Sequence, residues 1–120
     1  LSGMFSLGGQ PDSALVQQRV ELHPSFADVS HKGIPDIRVI VYRDEPAMAM
    51  LRLPTKESGG RANLHQGGIG TGIDLLTGLT HHAVQRDRLV SRHPDTGKPV
   101  VGLRVPCWRQ VLELSRRVAR

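Results

Sequence analysis

The strongest pattern along the chain is a pair of largely apolar stretches separated by a turn. Asp36-Ile37-Arg38-Val39-Ile40-Val41-Tyr42 is rich in β-branched residues, which fit a pleated surface, and it predicts a strand. Arg43-Asp44-Glu45-Pro46 reads as a turn. Ala47-Met48-Ala49-Met50-Leu51-Arg52-Leu53 reads as the returning strand, stopped by Pro54, which has no N–H for a ladder. Both stretches are apolar at most positions, which predicts a sheet covered on both faces.

Upstream, Gly3, Gly8, Gly9 and Pro11 mark residues 1–15 as a loop ending in an Asp12–Leu15 turn. Val16, Val20 and Leu22 are apolar at even positions and predict a strand over Val16–Leu22. His23–Val29 predicts a helical turn with Pro24 at its first position, where a missing N–H costs little. Downstream, residues 54–68 are polar and predict a loop, which at that length is usually functional or mobile. Ile69–Leu76 and Leu79–Val84 predict a second hairpin about a tight Thr77-Gly78 turn, and residues 85–99 are polar and turn-rich. Pro106 opens a helix on which Trp108, Val111, Leu112, Leu114 and Val118 form an apolar stripe. Antiparallel hairpins followed by a helix predict an α+β fold.

Composition sharpens this picture. At 120 residues the chain is one domain or a piece of one, and aromatic residues make up only 3% of it (Phe5, Phe26, Tyr42, Trp108), which is thin for a self-sufficient core. No apolar run approaches the roughly 20 residues of a membrane-spanning helix. The first residues lack the charged and apolar regions of a secretory leader. One cysteine closes no internal disulfide, so the expected location is cytoplasmic. Sixteen Lys and Arg against 11 Asp and Glu give a net charge of +5. The basic residues are dispersed, however, and no aromatics interleave with them as a stacking platform for nucleic acid. The densest basic cluster, Arg116, Arg117 and Arg120, falls at the end of the helix, where it complements the helix dipole.

Two groups of residues could carry chemistry. Arg38 and Arg52 are charges inside the apolar strands of one hairpin, and a half-buried guanidinium needs an anionic partner. On one face they would form a fork for phosphate or carboxylate, whereas apart they read as edge arginines paired with Asp36 or Glu21. A two- or four-residue turn puts them on opposite faces, and a three-residue turn pairs them directly. The second group is Arg61-Ala62-Asn63-Leu64-His65-Gln66-Gly67-Gly68, which combines charge, amide and imidazole with glycines that expose backbone N–H groups. Neither a Walker pattern nor a dinucleotide fingerprint is present. Metal chemistry finds little support: His81 and His82 are strand neighbours expected to point to opposite faces, His93 lies in a loop, and Cys107 is solitary.

The ordered set Pro35–Tyr42, Met48–Pro54 and Arg61–Gly68 resembles the ATP-grasp superfamily of carboxylate–amine ligases. Within it, the chain is similar to the alpha-L-glutamate ligase homologues, near the sugar-transfer-associated ATP-grasp proteins. The opening Leu1–Asp12 and the later Gly72–Gly78 are also similar to that branch. The resemblance implies an enzyme that holds ATP between two α+β lobes, phosphorylates a carboxylate, and lets an amine attack the acyl phosphate. It further implies that Arg38 is the arginine of the family's Asp-Ile-Arg motif and one of its catalytic residues, that Arg52 and Asn63 face phosphates or the acyl intermediate, and that His65 lies nearby. Gln17 and Gln18 would lie on the strand whose backbone contacts adenine, where the family often carries a glutamate at the position of Gln18.

The family's Mg²⁺ ligands, an acidic residue and a Glu-x-Asn pair, would follow the helix that begins near Cys107. Its lysine-bearing strand and glycine-rich phosphate loop would precede Leu1. The expectation is therefore a partial ATP-grasp catalytic domain over residues 1–120, without a metal site and inactive as this chain alone. Surface left open by absent lobes could support a homo-oligomer. The alternative is a small basic module that binds nucleic acid or another anion without catalysis.

Overall fold

The computed structural model describes residues 8, 11 and 13–120. Most of the loop expected over residues 1–15, and most of the Leu1–Asp12 stretch, lie outside the described residues. The apolar pattern becomes a five-stranded antiparallel meander, ordered β1 (Asp36–Tyr42), β2 (Glu45–Leu53), β3 (Ile69–Ile73), β4 (Thr80–Gln85) and β5 (Arg88–Val90). One helix, α1 (Trp108–Ala119), follows. This is the α+β arrangement expected from the order of hairpins and helix. Short 3₁₀ turns occupy Pro24–Val29 and Leu64–Gln66, the first with Pro24 at its start and its N–H of Ser25 donating to the His23 ring. Among the described residues no helix is long and apolar enough to cross a membrane.

β1 and β2 join through two residues, Arg43 and Asp44, with φ of 48° and 64°. Two positive φ angles give the turn the twist that suits antiparallel strands. The register then slips. Val41 pairs with Pro46, but Ile40 pairs with Met48, so Ala47 is an extra residue in β2. This one-residue bulge moves every later β2 side chain to the other face. Asp36 consequently faces Arg52, and Arg38 faces Met50.

One face of the sheet carries the core. Leu51, Leu53, Ile69, Ile73 and Ala83 are buried there with Phe26, Val29, Val100, Val105 and Trp108. The Trp108 indole N–H donates to the Leu75 carbonyl at 2.9 Å, tying the start of α1 to the turn after β3. The expectation of a sheet covered on both faces is corrected here. β1 alternates between half-buried and exposed residues, and Ile40 and Met48 on the second face are 46% and 61% exposed. On that second face the loop after Pro54 covers only the part around Gly70, where Leu64 lies against the sheet.

Three further expectations change. Val16–Leu22 is not a strand: it is exposed throughout and pairs with no strand of the sheet. β3 ends at Ile73 rather than Leu76, where the Asp74 carboxylate accepts from the N–H and hydroxyl of Thr77 and forms the turn. The apolar stripe of α1 is only partly used. Trp108, Val111 and Leu112 meet the core, while Leu114 and Val118 face solvent.

Candidate functional site

The bulge in β2 builds the site. It brings Asp36, Arg38 and Arg52 onto the open face of the sheet, and the loop that follows Pro54 returns across that face. A cleft of about 490 Å³ results, lined by Asp36, Arg38 and Arg52 from the strands and by Arg61, Asn63 and His65 from the loop. The arginines share a face despite a two-residue turn, because the bulge adds the residue that the turn lacks.

Arg52 is held rigidly. Its Nε donates to Asp36 Oδ1 and its Nη2 to Asp36 Oδ2, each at 2.6 Å, a two-pronged pairing of guanidinium with carboxylate. The hydrogen bonds that Arg52 donates to Asp36, with a lesser contribution from the Asp36 charge, hold the Arg52 guanidinium above its ordinary range against the opposing effect of desolvation. Arg38 is exposed at the neighbouring position. Asn63 caps the Leu64–Gln66 turn: its Oδ1 accepts from the His65 N–H at 3.1 Å, which leaves Nδ2 as the group available to a ligand. Three guanidinium groups against one carboxylate make the cleft electropositive, and its donors match the oxygens of a phosphate or carboxylate.

Hydrogen bonds tie the loop down at several points. Thr55 and Ser58 are buried and bond each other's backbone and hydroxyl groups, and the Thr55 hydroxyl donates to the Gly67 carbonyl at 2.8 Å. Gln85 Nε2 donates to the same carbonyl at 2.9 Å. Arg86, in the turn between β4 and β5, donates to Glu57 at 2.6 Å and to the His65 carbonyl at 3.2 Å. Both partners of the Arg86–Glu57 pair are about half exposed, so Arg86→Ala should cost only ~0.5 kcal/mol, fading at high salt. Urea denaturation at two ionic strengths measures this. A loss above about 2 kcal/mol, independent of salt, would contradict the assignment of Arg86 as a peripheral latch.

Of the residues singled out from the sequence, Arg38, Arg52, Asn63 and His65 come together. Gln17 and Gln18 lie elsewhere, in the exposed Val16–Leu22 segment, and neither lines the cleft. Asp36 and Arg61 complete the lining. Asp36 was readable as a partner for Arg52, but its place opposite Arg52 depends on the bulge. His93 is buried and Cys107 is exposed at the start of α1. The expectation that His81 and His82 point apart is corrected: a second bulge leaves His82 unpaired in β4, and the two rings meet.

A metal ion finds few ligands in the cleft. The carboxylate of the cleft, Asp36, is already bound through both oxygens by Arg52, and the described residues contain no group of three or more His, Cys, Asp or Glu suited to a cation. The cleft fits an anion and does not fit Mg²⁺. A family model described as sugar-transfer associated ATP-grasp matches residues 1–120. No curated protein and no solved structure matches the chain.

Proposed function

The chain belongs to the sugar-transfer associated ATP-grasp family, and from that premise we propose that residues 1–120 supply part of the catalytic domain of an ATP-dependent carboxylate–amine ligase similar to the alpha-L-glutamate ligases. The observation that carries the reading is the gathering of Arg38, Arg52, Arg61, Asn63 and His65 in one electropositive cleft on the open face of the sheet. In this reading a substrate carboxylate attacks the terminal phosphorus of ATP and ADP departs. An amine then attacks the acyl carbon and phosphate leaves. Negative charge is concentrated on phosphoryl oxygens throughout.

Fixed guanidinium and amide donors stabilise that charge without reorganising during the reaction. Arg52 is the most fixed of them, because Asp36 holds its plane, and Arg38 and Asn63 complete the set. His65 lies at the cleft wall. Gln17 and Gln18, exposed and outside the cleft, would supply the adenine contact in this reading. No step is assigned to Mg²⁺, since the cleft does not fit it. In this reading the chain alone is not a competent ligase.

Calorimetric titration with pyrophosphate and with ATP tests the proposal. Loss of one charge-assisted contact, worth about 1.5–3 kcal/mol, should weaken binding roughly 10- to 100-fold in Arg38→Ala. Arg52→Ala should be worse, because it also leaves the Asp36 carboxylate unpaired and facing the anion. Removing Asp36 as well should restore part of the loss. Equal affinity in wild type and both arginine variants would overturn the reading. Duplex DNA at low salt is the control for a generic basic module, and a flat titration is expected.

A further inference from the structure

The second bulge creates a feature that the family reading does not use. Thr71 pairs with Ala83 and Gly72 with His81, so His82 is the extra residue of β4, with φ of 43°. A non-glycine residue rarely takes positive φ, although histidine tolerates it better than most. In a regular strand adjacent side chains point to opposite faces. Here the left-handed backbone at His82 turns its side chain back toward its neighbour. The two Nδ1 atoms are 3.1 Å apart, and the ring planes stand at 78°. The opposite strand makes room: a Cβ on Gly72 would fall 2.5 Å from His81 Cε1, so the ring occupies space that a side chain would fill.

A hydrogen bond between the two Nδ1 atoms requires one ring to donate and the other to accept, so a single proton lies between them. We infer that His81 and His82 form a two-nitrogen chelating site for a borderline divalent transition ion of the Zn²⁺ or Cu²⁺ class, which takes the place of that proton as the donating ring passes it through water to its own Nε2 and stays neutral. An ion about 2.1 Å from each nitrogen would bridge the observed separation at an N–metal–N angle of roughly 95°, between the square-planar and tetrahedral values. Imidazole nitrogens suit these ions, whereas hard oxygen-seeking cations do not take them.

The pair is exposed, so the remaining coordination positions are open to water or to an added ligand. With two protein ligands the site binds more weakly than a four-ligand structural zinc site. Neither histidine lines the anion cleft, so the inference stands apart from the ligase reading.

ZnCl₂ and CuCl₂, titrated separately into the whole chain against a chromophoric chelator, test the site. One equivalent of ion should bind, and the Cu²⁺ complex should show coupling to two imidazole nitrogens in electron paramagnetic resonance. His81→Gln should weaken binding at least about tenfold, as for loss of one arm of a chelate. His82→Asn should do the same while keeping a residue that tolerates the left-handed backbone. His31→Gln should leave affinity unchanged. Circular dichroism without metal checks folding, and if His82→Asn unfolds, His81→Gln at a regular backbone position decides alone. Binding that survives His81→Gln, or wild-type binding no tighter than that of the variant, would overturn the inference.

Discussion

Gly33→Ala should destabilise the fold by at least ~3 kcal/mol, at the upper end of overpacking substitutions. A Cβ at residue 33 would overlap the Gly60 carbonyl oxygen, and this contact is backbone, so no side chain can rotate out of the way. Both flanking segments are pinned. The Ser30 hydroxyl donates to the Gly33 carbonyl at 2.6 Å, the His31 N–H donates to the Pro54 carbonyl at 3.2 Å, and the Gly60 N–H donates to the Thr55 carbonyl at 3.0 Å. Relief therefore requires moving residues 30–33 off the sheet or moving Gly60. Gly60 directly precedes Arg61, which lines the cleft. The same substitution should consequently weaken pyrophosphate binding in whatever fraction remains folded. Urea denaturation measures the first effect and calorimetry the second. A stability change under about 1 kcal/mol would show that the two turns separate easily and that the cleft is not built on their contact.

The cleft shows where sequence reasoning succeeds and where it stops. β1 was legible to the residue, because a run of β-branched side chains bounded by Pro35 and Arg43-Asp44 permits little else. The candidate residues Arg38, Arg52, Asn63 and His65 were legible as charges and amides in unusual places, and the family resemblance agreed with the match over residues 1–120. The face on which the arginines lie was not legible. It depends on Ala47, whose small apolar side chain gives no sign that it is the extra residue of a bulge.

The same limit applies at His82, where a strand pattern concealed a left-handed residue. Val16–Leu22 alternated convincingly but found no sheet edge, since alternation reports a capacity to pair and not a partner. β5 went the other way. Arg88-Leu89-Val90 is too short and too polar to signal a strand, yet a two-residue turn at Arg86-Asp87 lays it against β4. The coverage of the sheet is not legible, because apolar content gives the cost of exposure without saying which segments will relieve it.

His93 looked like a loop residue from its polar surroundings, and His93→Ala should nevertheless cost about 3 kcal/mol, the sum expected for a buried side chain lost together with its hydrogen bonds. The residue is 1% exposed. Its Nε2 bonds the Pro54 carbonyl at 2.9 Å, and its Nδ1 accepts from the Asp95 N–H at 3.2 Å. The Asp95 carboxylate in turn accepts from the Lys56 N–H at 2.7 Å. The ring thus joins residues 93–95 to the first residues of the cleft loop, and a hydrophobic substitute would remove the partner of the Asp95 N–H and leave the Pro54 carbonyl with the His31 N–H alone. His93→Leu, which keeps much of the volume, separates the two contributions: it should recover the packing part and leave the hydrogen-bond part lost. Amide hydrogen exchange should then rise across residues 54–68 more than across β1 and β2, because the loop opens before the sheet does. Uniform acceleration across the sheet would mean that His93 supports the whole core rather than the loop. Protection of residues 54–68 unchanged from wild type would mean that the Thr55, Ser58 and Gln85 bonds hold the loop without it.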